Sequence, residues 1–234
     1  MQAVILAGGK GTRLQPYTNS IPKPLVPIGD YPILEVILRQ LKYYGITEVI
    51  LAVNHLSHLI IDFFGDGTKL GLKIRYSIED KILGTAGPLN LIDYLEDNFF
   101  VMNGDLLTSI NYENLYNFHL EQNSLITIGT YSKSIKIDLG VIKSNGNNFI
   151  SYDEKPTFTY DVSMGLYVIN RNVIKLIPKE TKFDMPDLVK ITDKFDSNSV
   201  ICYKGDYDWL DIGRVEDYET AILLFKSDKN KYLP

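Results

Sequence analysis

Apolar and polar positions come in blocks along this chain. Residues 3–7 are a continuous apolar run closed by Gly8 and Gly9. An unbroken Val/Ile/Leu run of this length predicts a strand covered on both faces, as in a parallel sheet. Pro22, Pro24, Pro27 and Pro32 withhold backbone donors and block a long helix over 21–32. Over 33–44, Ile33, Leu34, Ile37, Leu38 and Leu41 share one helical stripe, and Gly45 is a helix stop. Residues 48–53 predict a second buried strand, 59–64 a helix, 72–77 a third strand, 86–95 a helix and 98–102 another buried strand. This alternation predicts right-handed βαβ units and an α/β fold: a Rossmann-like, open mixed, mainly parallel sheet flanked by helices. The second half is richer in strands, over 125–131, 139–144, 149–152 and 163–169, with a hairpin signal at Asn145-Gly146-Asn147. Residues 210–225 predict a strand-end loop and a helix, and the polar tail 226–234 is expected to fray. No linker, repeat or low-complexity segment divides the chain.

Composition narrows the function classes. The 234 residues carry 24 Lys plus Arg against 29 Asp plus Glu, for a net charge of −5. That balance excludes a duplex nucleic-acid surface, which needs clustered positive charge, but allows a small anion held by a few local cations. A single cysteine, Cys202, excludes an internal disulfide and fits a reducing compartment. The first nine residues lack a basic leader, and no apolar stretch approaches the ~18 residues that span a bilayer. A cytoplasmic protein with no membrane partner is expected.

The chemistry concentrates in a few segments. In Leu6-Ala7-Gly8-Gly9-Lys10-Gly11-Thr12-Arg13, glycines let the backbone approach an anion, with amides pointing inward as a phosphate nest. Arg13 adds a planar, permanently charged fork. The bland reading is a tight strand-to-helix turn. The spacing fits neither a P-loop nor the dinucleotide fingerprint. Lys23 stands between Pro22 and Pro24, a stiff mount for a charge aimed at a polyphosphate; the bland reading is a solvated loop lysine.

The whole stretch 6–34, LAGGKGTRLQPYTNSIPKPLVPIGDYPIL, resembles the opening signature of the sugar-1-phosphate nucleotidyltransferases, or NDP-sugar pyrophosphorylases. It looks most like the catalytic domain of mannose-1-phosphate or heptose-1-phosphate guanylyltransferases. The resemblance continues through Asn103-Gly104-Asp105, Asp153-Glu154-Lys155-Pro156, Met164-Gly165-Leu166-Tyr167 and Trp209-Leu210-Asp211-Ile212-Gly213-Arg214. It implies the nucleotide-diphospho-sugar transferase fold as a single domain over 1–234, with a mainly nucleotide-binding half at 1–110 and a mainly sugar-binding half at 111–225. Some relatives append a C-terminal β-helix domain; with the sequence ending at Pro234, none is expected.

The implied reaction is attack by a sugar 1-phosphate oxygen on the α-phosphorus of an NTP, with pyrophosphate leaving in line. Catalysis is then positioning and charge neutralisation. By resemblance, Mg²⁺ would be held by Asp105 and Asp211, carboxylates of the hard-oxygen type it favours. Arg13 would hold the β- and γ-phosphates, and Lys23 the α-phosphate. Leu6, Ala7, Gly8, Gly9, Gly11, Thr12, Glu79, Gly84 and Thr85 would bind the nucleotide. Asn103, Gly140, Glu154, Lys155 and Gly165 would bind the sugar phosphate. The base segment 77–89 carries Glu79 where uridylyl- and thymidylyltransferases often carry Gln. A carboxylate only accepts hydrogen bonds, and guanine offers adjacent N1–H and N2–H donors, so chemistry ranks GTP first. Uridylyl, thymidylyl or cytidylyl transfer, and a non-catalytic NDP-sugar-binding subunit, stay open. The expected product serves surface polysaccharide or glycoconjugate synthesis, and a homodimer is compatible with the family. His55 and His58 lack a third metal ligand, and Asp206-Tyr207-Asp208 lies too late in the chain for a glycosyltransferase D-x-D.

Overall fold

The computed structural model describes residues Met1–Pro234. Thirteen strands and six α-helices follow in chain order: β1 (Gln2–Leu6), β2 (Pro27–Ile28), β3 (Tyr31–Pro32), α1 (Ile33–Tyr43), β4 (Glu48–Val53), α2 (Ser57–Phe64), β5 (Lys73–Ile78), β6 (Asn98–Asn103), β7 (Leu106–Thr108), α3 (Tyr112–Glu121), β8 (Ile126–Lys136), β9 (Gly140–Asn145), β10 (Asn148–Glu154), β11 (Thr157–Asn170), α4 (Met185–Phe195), β12 (Val200–Tyr203), β13 (Trp209–Asp211), α5 (Val215–Ser227) and α6 (Lys229–Tyr232). One seven-stranded sheet has the order β12-β8-β11-β6-β1-β4-β5. β1 pairs in parallel with β4 and β6, and β4 with β5. β11 enters antiparallel between β6 and β8.

The continuous apolar runs are explained by two-sided cover. Ala3 and Ile5 of β1 point into one core cluster, and Val4 into the other. The same alternation sends Phe100 and Met102 one way and Phe99 and Val101 the other. Strands whose two faces are both buried have no position for a polar residue, so alternation in character disappears. α1 lays its predicted stripe on the sheet, with Ile33, Leu34, Ile37, Leu38 and Leu41 all at most 1% exposed.

Several expectations are corrected. The segment 86–95 holds only a 3₁₀ helix, Gly87–Leu91. Leu89 N and Ile92 N each reach back three residues, to Ala86 O at 3.1 Å and Leu89 O at 3.3 Å, and the backbone turns extended at Ile92, so no α-helical turn follows. The tail does not fray: α6 forms there, and Tyr232 is 1% exposed with its hydroxyl donating to Asp208 Oδ2 at 2.6 Å. β8 and β11 run well beyond 125–131 and 163–169, because each supplies the other's partner out to Lys136 and Thr157. α3 and α4 were not anticipated; the inward stripe of α3 is only Tyr112, Leu115 and His119, with a histidine in it.

Candidate active site

Three parallel strands end side by side. Ala7 N donates to Ala52 O at 2.8 Å, and Gly104 N donates to Leu6 O at 3.0 Å. The loops leaving β1, β4, β5 and β6 therefore open on one crevice, where α/β sheets place their ligands. A cleft of about 350 Å³ is lined by 15 residues, among them Leu6, Ala7, Gly8, Gly9, Lys23, Glu79, Gly84, Thr85, Asn103 and Asp105. These ten were candidates from sequence; Lys10, Pro24, Asn54, Ile82 and Gly104 complete the lining and were not.

The glycine loop is built for close approach. Gly11 has φ +62°, and a Cβ there would come within 3.1 Å of both Lys23 Cβ and Thr18 Cγ2. The 3₁₀ turn Thr12–Leu14 follows, so Gly11 and Thr12 shape the loop without lining the cleft. A Cβ on Gly8 would meet Asn54 and Glu79 Oε1 at 3.2 Å.

The charged centre joins distant segments. Lys23 opens the 3₁₀ turn Lys23–Leu25, and its ammonium donates to Asp105 Oδ2 with both side chains largely buried. Asp105 Oδ1 is also buried, and it has no hydrogen-bond partner. The ribbon of β7 and β13 brings in Asp211, which pairs with Leu106, while Ile212 N donates to Asp105 O at 3.0 Å. Burial raises the Asp211 carboxyl pKa above its ordinary value, and the neighbouring Asp105 charge raises it further; Lys23 and Arg13 oppose both. An orphaned carboxylate oxygen beside a second acid is a donor set that fits a hard divalent cation completed by phosphate and water. No group of three or more His, Cys, Asp or Glu gathers as a metal site. His55 precedes Leu56, the N-cap residue of α2, and His58 is the second residue of that helix.

Asp211 lies outside the lining of this cleft and lines two adjoining cavities. One, of about 290 Å³, shares Thr85 and Asn103 with the first and adds Gly165, Tyr167 and Trp209. Gly165 has φ +71°, and a Cβ there would lie 2.5 Å from Asn103 Nδ2. The other cavity, of about 700 Å³, holds Arg13 beside Asp211, Gly213 and Asp217. Gly140, Glu154 and Lys155 line none of these three cavities. They sit on the outlying β9–β10 hairpin, where Gly140 is covered by Tyr152, Tyr152 Oη donates to Glu154 Oε2 at 3.0 Å, and Lys155 turns the chain at φ +46°.

Glu79 follows β5 and is 9% exposed. Its Oε2 accepts from Leu83 N at 3.2 Å, and its carbonyl accepts from Asn54 Nδ2 at 2.7 Å. Burial raises its pKa, and the Leu83 N–H works against that. Thr85 is held from across the chain: Asp184 Oδ1 accepts from Thr85 N at 3.0 Å, and Met185 N donates to Thr85 Oγ1 at 2.7 Å. Gly84, at φ +83°, leaves room for that approach; a Cβ would stand 2.6 Å from Asp184 Oδ1. Lys10, Asn54 and Asp184 were missed as functional residues. A cation within the glycine loop was a signal for Lys10, and an acid just before Met-Pro was one for Asp184. The Asp206-Tyr207-Asp208 segment is accounted for structurally, since Asp208 pairs with Lys231 at 2.7 Å and with Tyr232.

Comparison with known proteins agrees with this geometry. Residues 2–227 match the Nucleotidyl transferase family, and the chain belongs to it. The chain is 32% identical, over its whole length, to a UTP–glucose-1-phosphate uridylyltransferase of Synechocystis sp., spanning 66% of that protein. It is 33% identical to the D-glycero-α-D-manno-heptose 1-phosphate guanylyltransferase of Campylobacter jejuni, covering 93% of this chain and 97% of the other. The structure of HddC from Yersinia pseudotuberculosis complexed with GMP-PN superposes with a TM-score of 0.70 at 25% identity, over 96% of this chain and 99% of that one.

Proposed function

We propose that this protein transfers a nucleotidyl group, in first place guanylyl, from an NTP to a sugar 1-phosphate and releases pyrophosphate. The observation that carries this reading is the Lys23–Asp105 ion pair, lining the cleft where the glycine loop, Glu79 and Thr85 converge, with Asp211 beside it in the adjoining cavity. A charged centre at the mouth of a phosphate nest suits phosphoryl chemistry, in which the protein positions oxygens and neutralises charge.

In this reading the amides of 8–11 cradle the phosphate chain. Lys23 neutralises charge growing at the α-phosphate, and Arg13 steadies the departing pyrophosphate. Asn103 and Gly165 floor the space for the sugar. Glu154 and Lys155 reach the sugar phosphate only if their hairpin folds toward the cleft. Asp105 and Asp211 would hold Mg²⁺; when bound, that ion supplies charge neutralisation on phosphate oxygens and lines up attacking and leaving groups. The two halves, 1–110 and 111–225, serve mainly nucleotide and sugar respectively.

Glu79 supports guanine because Oε1 is free toward the cleft and can accept from N1–H or N2–H. One observation favours uridylyl transfer instead: Oε2 already accepts from Leu83, which leaves less of the carboxylate for a two-donor base. The test is pyrophosphate release with Mg²⁺ and each of GTP, UTP, dTTP and CTP, crossed with mannose, glucose, glucosamine, N-acetylglucosamine and heptose 1-phosphates. Turnover with GTP is expected. Turnover with UTP or dTTP alone sinks the guanine reading, and nucleotide binding without turnover on any pair sinks the enzyme. Asp105→Asn and Asp211→Asn are each expected to lose roughly a hundredfold or more in kcat with an unchanged circular dichroism spectrum. Near-normal turnover in both variants would remove their assigned role.

A further inference from the structure

A second cleft, of about 470 Å³, is separate from the one just described and shares no residue with it. It runs along the outward face of α1 and is walled by the 3₁₀ turn Thr68–Leu70 and by α6. Its lining carries Arg39, Lys42, Lys69 and Lys229 with Tyr31 and Tyr43, no Asp or Glu, and Pro234 with its main-chain carboxylate at one side. Two of these four cations are paired with Glu35 and Asp30, which leaves Lys42 and Lys69 as the cavity's unpaired cations.

Topology puts this cleft away from the reaction. The glycine loop leaves the C-terminal end of β1, and α1 then carries the chain back so that β4 can run parallel to β1. Arg39, Lys42 and Tyr43 sit toward the end of that return, and Lys69 lies just before β5, which is also parallel. The cleft therefore reaches toward the opposite edge of the sheet.

Two of the cations serve the fold and two are left for a ligand. Arg39 is fixed by Glu35 at 2.6 Å, and Lys229 by Asp30 at 3.6 Å. Both also stand 4.9 Å from the Tyr31 ring centroid, so one aromatic ring gathers two charges. Lys42 and Lys69 take part in no ion pair. Lys42 lies over Gly71, with Nζ 3.7 Å from where a Cβ would stand, and so faces the turn that carries Lys69. Lysine ammoniums are point-charge partners for phosphate. Tyr43 is 62% exposed and meets Tyr44 edge-on at 5.0 Å, which leaves a ring face open at the rim.

We propose that this cleft is a second anion site, which takes the phosphate chain of a small polyphosphate on Lys42 and Lys69, with Tyr43 as a stacking platform when that chain belongs to a nucleotide. The chemistry of the chain is shared by inorganic tripolyphosphate and by a nucleoside diphosphate, and the two are separable by experiment.

The test is calorimetric titration of tripolyphosphate and of GDP into the intact chain, with backbone amide shifts followed at 39–43 and 68–71. Two classes of site are expected for the wild type, with shifts in both segments. Lys42→Glu with Lys69→Glu is expected to weaken the second class roughly tenfold or more and to leave turnover unchanged. Both lysines are exposed, so the fold should tolerate the change; if it does not, the Ala pair read by amide shifts gives the same answer. A single class of site in the wild type, or an unaltered titration in the charge-reversed variant, overturns the proposal. Weaker GDP binding in Tyr43→Ala, with tripolyphosphate unaffected, supports the nucleotide source; no effect of Tyr43→Ala on either ligand removes the platform.

Discussion

Individual residues at the cleft are constrained by space as much as by charge. Gly165 combines φ +71° with a position where a Cβ would lie 2.5 Å from Asn103 Nδ2. Gly165→Ala is expected to destabilise the protein by roughly 1–3 kcal/mol, because a left-handed backbone and a displaced amide are both costly. Urea unfolding checks this, and a loss below 0.5 kcal/mol, a value within roughly the scatter of surface substitutions, would remove the argument. Glu79→Gln replaces one acceptor with a donor. GTP turnover is expected to fall by about tenfold to a hundredfold in kcat/KM, the scale of one buried group left unsatisfied, while UTP falls less or rises. Equal losses for both nucleotides would show that Glu79 does not read the base. At this scale the sequence was legible wherever a residue's type is rare for its setting. Three glycines before an arginine, or a lysine between prolines, have few structural reasons to exist. Asn54 carries no such mark, since an asparagine is ordinary in a loop.

Elements set what those residues can reach. α4 places Asp184 at its N-cap position, yet that carboxylate bonds Thr85 and makes no side-chain cap to its own helix. Asp184 is therefore a positioning residue for the segment that carries Gly84 and Thr85. Asp184→Ala is expected to raise the NTP KM about tenfold, on the scale of charged hydrogen bonds, with kcat changed less. Asp184→Asn, which keeps an acceptor oxygen, should recover most of the loss. A uniform fall in kcat with KM unchanged would point away from this role. The strands and α1 were legible because burial on two faces, or on one stripe, leaves a pattern along the chain. The 3₁₀ helix Gly87–Leu91 was read too long because Leu89 N and Ile92 N bond only three residues back and Ile92 is extended, while Phe183, far away in sequence, anchors the N–H groups that open the turn.

The whole molecule is fastened by a buried polar knot. His119 of α3 contacts Thr127 Oγ1 of β8 at 2.8 Å and Asn98 Oδ1 of β6 at 3.0 Å. Asn170 Nδ2 of β11 donates to the same Asn98 oxygen at 2.9 Å, so His119 Nε2 carries the proton and Nδ1 accepts. Burial lowers the His119 pKa from 6.5 to about 4. The unfolded chain therefore takes up this proton first as pH falls. The contribution is fully present above pH 6.5 and is lost between there and about 4, for a total of roughly 3 kcal/mol. Urea midpoints of wild type and His119→Gln, compared from pH 7 to 4, should converge as the wild type loses this stability. Parallel curves would contradict it.

The sequence by itself determined the alternation of strand and helix, the phosphate loop, and the family to which these segments point. Those properties are local: a glycine's freedom, a proline's stiffness and a strand's apolar run act within a few residues. Only the tertiary structure decided which of the candidates meet. It joined Asp105 to Asp211 through the β7–β13 ribbon, set Asp184 against Thr85, left Glu154 and Lys155 on an outlying hairpin, and gathered four cations along α1. Such contacts join residues far apart in the chain. They exist only after the sheet has closed its order and the two cores have packed, and no pattern within one segment encodes them.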